Sequence, residues 1–351
     1  MDTAARRTAV IGAGSWGTAL AYSLARNGHS VTLWARREEA AREIETTRRN
    51  ARYLPDAHLP DTLRATSDLE EAAEAEVWLF AVPSQHVRSV ASRLAGHASA
   101  PEAIVSVAKG IENATLLTTS GVLREVLPGA DPNHVGVLYG PSHAEEVALG
   151  RPTTVVASIP DLAVAEEVQA LFMAPTLRVY TNPDLVGVEV AGSVKNVMAL
   201  AAGMGDGLEL GDNAKAALVT RGLAEITRLG LAMGAQAHTF AGLAGLGDLV
   251  VTCFSQHSRN RRFGEMVGAG KTLQEAAAAM TMVVEGVKTT ASVRELAARY
   301  EIEMPISEAV GRVLAGESDP REEVSDLMTR DATHEAAHLG GTLLGDAILP
   351  A

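Results

Sequence analysis

Through the first half of the chain, short apolar runs alternate with stretches in which apolar residues recur every three or four positions. Thr8–Ile11, Val31–Trp34, Val77–Val82, Ala103–Val107 and Val135–Leu138 are runs of the kind a strand buried on both faces requires. Thr18–Asn27 and Val87–Leu94 carry helical spacing between them. Such alternation predicts an α/β fold, a doubly wound, mostly parallel sheet of Rossmann type. Thr153–Ser158 and Leu177–Thr181 add two strands that close this domain.

After Pro183 the period changes. Val190, Val194, Val197, Ala201 and Met204 fall on one face of a helix, with Gly205 as a suitable stop. Val219, Leu223, Ile226, Gly230 and Met233 repeat the pattern, and only Asp248–Thr252 is ambiguous between helix and strand. The expected organisation is a Rossmann domain over residues 1–185, an all-α domain over 186–330, and a loosely attached tail over 331–351.

Composition narrows the function. The 351 residues are 47% hydrophobic and 21% charged, as in folded globular chains. A net charge of −13 argues against nucleic acid or an anionic membrane surface as the main partner. A small anionic ligand stays possible, because a local group of cations reverses the field inside a cleft. Cys253 is the single cysteine, so no internal disulfide forms, and a buried inert thiol is its expected state. Met1–Thr8 lacks the apolar stretch of a signal peptide, and no run approaches the roughly 18 uninterrupted apolar residues of a membrane span. A cytoplasmic protein without a membrane partner is expected.

Gly12-Ala13-Gly14-Ser15-Trp16-Gly17 is a GxGxxG motif, weak alone but set here between a strand and an alanine-rich helix. Gly12 permits the tight turn, Gly14 lets the backbone approach a pyrophosphate, and Gly17 lets helix and strand pack closely. The anion then sits at a helix N-terminus. The second strand ends in Ala35-Arg36-Arg37 rather than in the acid that usually receives the ribose hydroxyls of NAD. Two guanidinium groups there favour NADP(H), with use of NAD(H) left open.

Lys109 follows the strand ending at Val107, and Gly140-Pro141-Ser142-His143-Ala144 follows another, both at carboxyl ends where ligands bind in open sheets. In the second domain Gly192, Lys195, Asn196 and Ala199 lie opposite the core stripe of their helix. That small-residue face is expected to dock on the first domain, with Lys195-Asn196 directed into the gap. Ser258 is a good N-cap before Arg259-Asn260-Arg261-Arg262, which joins a helix N-terminus to guanidinium groups. Gly242–Asp248 is expected to be a flexible turn that ends on a carboxylate. No HExxH motif or other metal-ligand spacing occurs.

These pieces, with Val284-Glu285-Gly286, stand in an order that closely resembles NAD(P)-dependent glycerol-3-phosphate dehydrogenase of the bacterial type, from about residue 7 to about residue 330. The resemblance implies reversible hydride transfer between NAD(P)H and dihydroxyacetone phosphate, giving sn-glycerol 3-phosphate for phospholipid synthesis. It also implies a site in the cleft between the two domains, and a homodimer is typical of such families, although nothing in the residues fixes an interface. By position, Lys195 is implied as the catalytic acid/base, and Lys109 as a contact to substrate and cofactor. Gly140, Ser142, Asn196, Asp248, Ser258, Arg259 and Asn260 are implied around the substrate. Ser15, Trp16, Arg36, Tyr53, Ala144, Arg259, Val283 and Glu285 match cofactor positions. A developing alkoxide needs a nearby cation and a proton. A desolvated lysine close to a second lysine is expected to have a lowered pKa, which Asp248 would oppose while holding the ammonium.

Two rival readings remain at this point. Another two-domain dehydrogenase, of a β-hydroxy acid or ketopantoate, also places a lysine on the first long helix after its Rossmann domain. The Ser258-Arg259-Asn260 cluster, suited to a phosphomonoester, weighs against it. A non-catalytic NADPH-binding redox sensor would need the glycine motif and Arg36 but not both lysines.

Overall fold

A computed structural model describes residues 5–96, 101–280 and 282–332 of the chain. The tail expected after residue 331 lies, from Thr333 on, outside the described residues. The chain divides into two compact units. One holds the described residues up to Lys109 together with Leu117–Leu185, and the other holds Gly110–Leu116 and the described residues from Val186 on. No pattern in the sequence signals the excursion Gly110–Leu116.

The first unit is an eight-stranded sheet of β1 (Arg7–Ile11), β2 (Ser30–Trp34), β3 (Leu63–Thr66), β4 (Val77–Phe80), β5 (Ala103–Ser106), β6 (Val135–Tyr139), β7 (Thr153–Ser158) and β8 (Leu177–Thr181). Their order is 3-2-1-4-5-6-7-8, and all neighbours are parallel except β6 and β7. The period-2 geometry of strands sorts their side chains onto two cores. Val10, Leu33, Leu79, Val105 and Leu138 pack on one face, and Ala9, Ile11, Trp78, Phe80 and Ile104 on the other. Each such burial is worth about 1.5–3 kcal/mol.

β3 is absent from the expected set. It lies at the sheet edge and pairs with β2 alone, and of its residues only Leu63 is buried. An edge strand needs no continuous apolar run. β4 and β5 are shorter than expected, because Ala81-Val82 and Val107 leave the ladder at the carboxyl edge. There the register sets Ile11 beside Trp34 and Phe80, and Phe80 beside Ser106. The turns carrying Gly12, Arg36, Lys109 and Gly140 therefore leave the sheet on one side. Helix α1 (Ser15–Arg26) follows β1, and α2 (Glu38–Thr47) follows β2.

The second unit is helical: α3 (Leu185–Gly207), α4 (Gly211–Ala232), α5 (Asp248–Phe254), α6 (Arg259–Gly268), α7 (Glu285–Arg299), α8 (Pro305–Ala315) and α9 (Pro320–Met328), with shorter turns between. α3 does not stop at Gly205 but runs to Gly207. Every residue from Ala191 to Leu200 is buried. Further along the helix, Gly203 serves a helix crossing within the unit. A Cβ on Gly203 would lie 1.9 Å from the Arg261 carbonyl oxygen, and one on Gly264 would lie 2.1 Å from that of Leu200. α3 and α6 thus meet backbone to backbone, a contact that larger residues forbid.

Asp248–Thr252 is helix. The expected flexible turn before it is a wide helical turn, Leu243–Gly247, closed by the Gly247 amide on the Gly242 carbonyl at 3.1 Å. Leu185–Gly207 and Ala237–Phe254 are long and apolar enough to cross a membrane, and 89% of the first is buried inside the protein. That helix has the hydropathy of a core element.

Glu225 on α4 is a buried carboxylate that caps α8. It accepts from the amides of Ile306 (2.6 Å) and Ser307 (3.2 Å) and from the Ser307 hydroxyl (3.0 Å). Burial nevertheless pushes its pKa up to about 7, against the opposing pull of those bonds.

Candidate active site

In the first unit the glycine motif forms the turn from β1 into α1. Gly12 has φ +129°, and a Cβ there would lie 2.7 Å from the Ala81 carbonyl carbon. A Cβ on Gly17 would strike the Gly12 carbonyl oxygen at 1.9 Å, whereas one on Gly14 meets nothing within 4 Å. The turn is therefore crowded on its protein side and open at Gly14, which is the N-cap of α1 and offers no side-chain cap. A backbone cradle with open space at a helix N-terminus fits a dinucleotide pyrophosphate. Trp16 and Ala144 share a small apolar cluster with Ala19, Leu54 and Ala57. Ser15 is the first residue of α1. Tyr53 lies in the loop after α2, its ring under Arg52 at 5.3 Å. Arg36 and Arg37 are exposed at the end of β2.

Lys109 is half-buried, and its Nζ donates to the Gly140 carbonyl at 2.9 Å. The Ser142 hydroxyl donates to the same carbonyl at 3.1 Å. One carbonyl thus ties together the turns after β5 and β6, and Gly140 itself has φ +136°. Beneath the ammonium lies the Tyr139 ring, centroid 5.6 Å away, its hydroxyl donating to Ala108. Sequence reasoning missed Tyr139, because it looks like one more residue of a buried strand.

In the second unit Lys195 is 5% exposed. It donates to the buried Asp248 carboxylate and, at 2.7 Å, to Thr252 Oγ1. The Thr252 hydroxyl gives its proton to the Asp248 backbone carbonyl at 2.5 Å, which leaves an oxygen lone pair for the ammonium. One helical turn of α5 therefore supplies both acceptors. The direct neighbour of Lys195 is a carboxylate, so the electrostatics favour a held ammonium. Thr252 escaped the sequence reading, although its i+4 spacing from Asp248 on a helix was the available signal.

Asn260 Nδ2 donates to Asn196 Oδ1 at 2.9 Å, and Asn260 Oδ1 accepts from the Gly286 amide at 2.9 Å. This relay joins α3, α6 and α7 through the glycine crossing. Ser258 caps α6, accepting from the Arg261 amide at 3.3 Å. The basic run after it divides. Arg259 donates to the Val283 carbonyl at 3.3 Å, just ahead of Glu285 at the start of α7. Arg261 is held by Asp206 at 2.6 Å, with Lys215 on the other carboxylate oxygen at 2.5 Å, and belongs to the helix packing. Arg262 is exposed. Cys253 is fully buried, and burial pushes its thiol up to about 12, the inert state expected.

A cavity of about 1080 Å³ lies elsewhere in this unit, between α3, α4, α8 and α9, and contains none of the predicted site residues.

Residues 7–165 match the family model of the N-terminus of NAD-dependent glycerol-3-phosphate dehydrogenase, and residues 184–325 match that of its C-terminus. The chain belongs to the NAD-dependent glycerol-3-phosphate dehydrogenase family. A glycerol-3-phosphate dehydrogenase [NAD(P)+] of Salinibacter ruber is 59% identical over 93% of this chain and 95% of its own length. The crystal structure of glycerol-3-phosphate dehydrogenase from Coxiella burnetii superposes with a TM-score of 0.89 at 40% identity, covering 93% of this chain and 99% of the other. A ketopantoate reductase of Ralstonia eutropha has a TM-score of 0.59 at 20% identity over 91% of this chain and 99% of its own, and shares the fold alone. Family membership sets the glycerol-3-phosphate dehydrogenases above the rival dehydrogenases left open by the residues.

Proposed function

We propose that the chain is an NAD(P)-dependent sn-glycerol-3-phosphate dehydrogenase that interconverts dihydroxyacetone phosphate and glycerol 3-phosphate, supplying the latter for phospholipid synthesis in the cytoplasm. The observation that carries the reading is the buried Lys195, held by Asp248 and Thr252 in a chain of this family. A buried ammonium with a fixed orientation is what a developing alkoxide requires.

The nicotinamide, when bound, supplies or takes up the hydride. Gly12, Gly14, Ser15, Trp16 and Gly17 would cradle its pyrophosphate, and Arg36 and Arg37 would receive a 2′-phosphate, which favours NADP(H) over NAD(H). Tyr53, Lys109, Ala144, Arg259, Val283 and Glu285 complete the cofactor contacts. Lys195 gives its proton to the substrate oxygen as the carbonyl is reduced and takes it back in the reverse direction. Asp248 keeps that lysine charged and in place between turnovers. Lys109, Gly140, Ser142, Asn196, Ser258 and Asn260 line the substrate, with Arg259 and the amides of α6 on its phosphate. The chain works as a homodimer.

The test follows NADPH absorbance with dihydroxyacetone phosphate, then with NADH, then with ketopantoate. Saturable oxidation with dihydroxyacetone phosphate alone is expected. Tight NADPH binding without that oxidation would leave the dinucleotide site and remove the substrate, and turnover of ketopantoate instead would put the rival dehydrogenase first.

A further inference from the structure

The loop between α2 and β3 holds the glycine turn through one side chain. Arg48 ends α2 in the left-handed region, φ +55°, and its guanidinium donates to the carbonyls of Pro60 and Leu63, closing the base of the loop. Inside it the Asn50 carbonyl accepts from the amides of Tyr53 at 3.2 Å and Leu54 at 2.9 Å. Leu54 packs in the cluster that holds Ala19, Ala144 and Trp16. Asn50 is itself 5% exposed. Its Nδ2 donates to the Ala13 carbonyl at 3.0 Å and to Thr18 Oγ1 at 2.8 Å. Both amide protons are thereby used, and only the nitrogen end can serve a carbonyl.

The consequence follows from peptide geometry. The Ala13 carbonyl and the Gly14 amide belong to one planar trans peptide and point in opposite directions. Anchoring the oxygen on Asn50 aims the Gly14 N–H away from the loop, at a residue whose Cβ position has no neighbour within 4 Å. We propose that Asn50 is a positioning residue for the dinucleotide, which presets the Ala13–Gly14 peptide for the pyrophosphate before the cofactor arrives. The inference rests on the dinucleotide reading of the glycine turn. It also gives the loop that carries Tyr53 a second task, since loop and turn are ordered together.

Asn50→Asp sets an oxygen against the Ala13 carbonyl, and Asn50→Ala removes the anchor. Thr18→Val removes only the partner that orients the amide, and remains informative where an Asn50 variant does not fold. Val31→Ala, buried in the same unit away from the turn, calibrates a pure loss of stability. The measurements are NADPH affinity by fluorescence titration, steady-state kinetics with dihydroxyacetone phosphate, and Tm. Loss of a buried hydrogen bond predicts about a ten-fold weaker NADPH affinity for Asn50→Ala, more for Asn50→Asp and about three-fold for Thr18→Val. KM for NADPH rises in step, while kcat and KM for dihydroxyacetone phosphate stay within about two-fold. Asn50 and Thr18 variants that lose Tm as Val31→Ala does, with NADPH affinity unchanged, would overturn the proposal. A wild-type protein that binds neither NADPH nor NADH would overturn the dinucleotide reading and this inference with it.

Discussion

The glycine turn of the first unit and the lysine cluster of the second are built from opposite materials. The turn uses backbone: Gly12 and Gly17 remove side chains where carbonyls pass within 3 Å, and Gly14 leaves a helix N-terminus open. The cluster uses side chains: a buried ammonium, a buried carboxylate and a hydroxyl, brought together from α3 and α5. Such a backbone site tolerates no added carbon at Gly12 or Gly17 and carries no charged side chain of its own. A side-chain site tolerates shape changes poorly for a different reason, because each charge it buries depends on the other. The two therefore fail in different ways.

The sharpest separation comes from Lys195→Ala, which is expected to lower kcat by about 10³-fold or more while NADPH affinity stays within about two-fold. It also takes the lysine partner from the buried Asp248 carboxylate, so a loss of stability is expected beside the loss of turnover. Full activity in this variant, measured by NADPH oxidation, would break the assignment of the cluster as the chemical half.

Gly17→Ala strikes the other half. With a Cβ 1.9 Å from the Gly12 oxygen, the turn must open, and a loss of NADPH affinity of about 100-fold is expected in whatever fraction folds. Unchanged affinity by fluorescence titration would show that the turn is not the cradle.

A smaller effect is expected from Arg36→Ala, which removes an exposed guanidinium from the end of β2. The ratio of kcat/KM for NADPH over NADH should fall about ten-fold, with the NADH value nearly constant. An unchanged ratio would make Arg36 a solvated surface residue.

The last prediction concerns pH and the folding of the second unit. Glu225 has a folded-state pKa raised from 4.5 to about 7, so the folded protein prefers the protonated form. Its contribution is fully present below pH 4.5, declines as pH rises toward 7, and is constant above that. The wild type should lose about 3 kcal/mol across this window relative to Glu225→Gln, as read by denaturant unfolding. Parallel pH profiles for the two proteins would remove Glu225 as the cause.

The contrast between the halves also explains what was legible beforehand. Glycines at fixed offsets between a strand and a helix report a local backbone requirement, so the turn could be read directly. Lys195 and Asp248 are 53 residues apart, and composition and periodicity place no lysine beside any particular carboxylate. Family resemblance brought the two together and with them the expectation that Asp248 holds the ammonium, a contact the structure contains, whereas Thr252 came only from the packing of α5 against α3. The face of α3 that carries Lys195 was read as one that docks on the first domain, because glycine and alanine there look like a surface for close approach. Within the second unit the same helix also packs closely on α6, through Gly203 and Gly264, a contact the sequence reading did not contain.

The sequence by itself determined the alternation of buried strands and helices, the change to an all-helical texture after Pro183, and the position of the glycine turn. Each is a local or periodic property that a chain expresses whatever its neighbours are. Tertiary structure alone decided that Leu63–Thr66 joins the sheet at its edge, that Asn50 anchors the Ala13 carbonyl, and that Glu225 caps a helix 80 residues further on. Such contacts depend on which surfaces meet after folding, because buried polar groups take their partners from distant segments and a one-dimensional pattern has no term for that pairing.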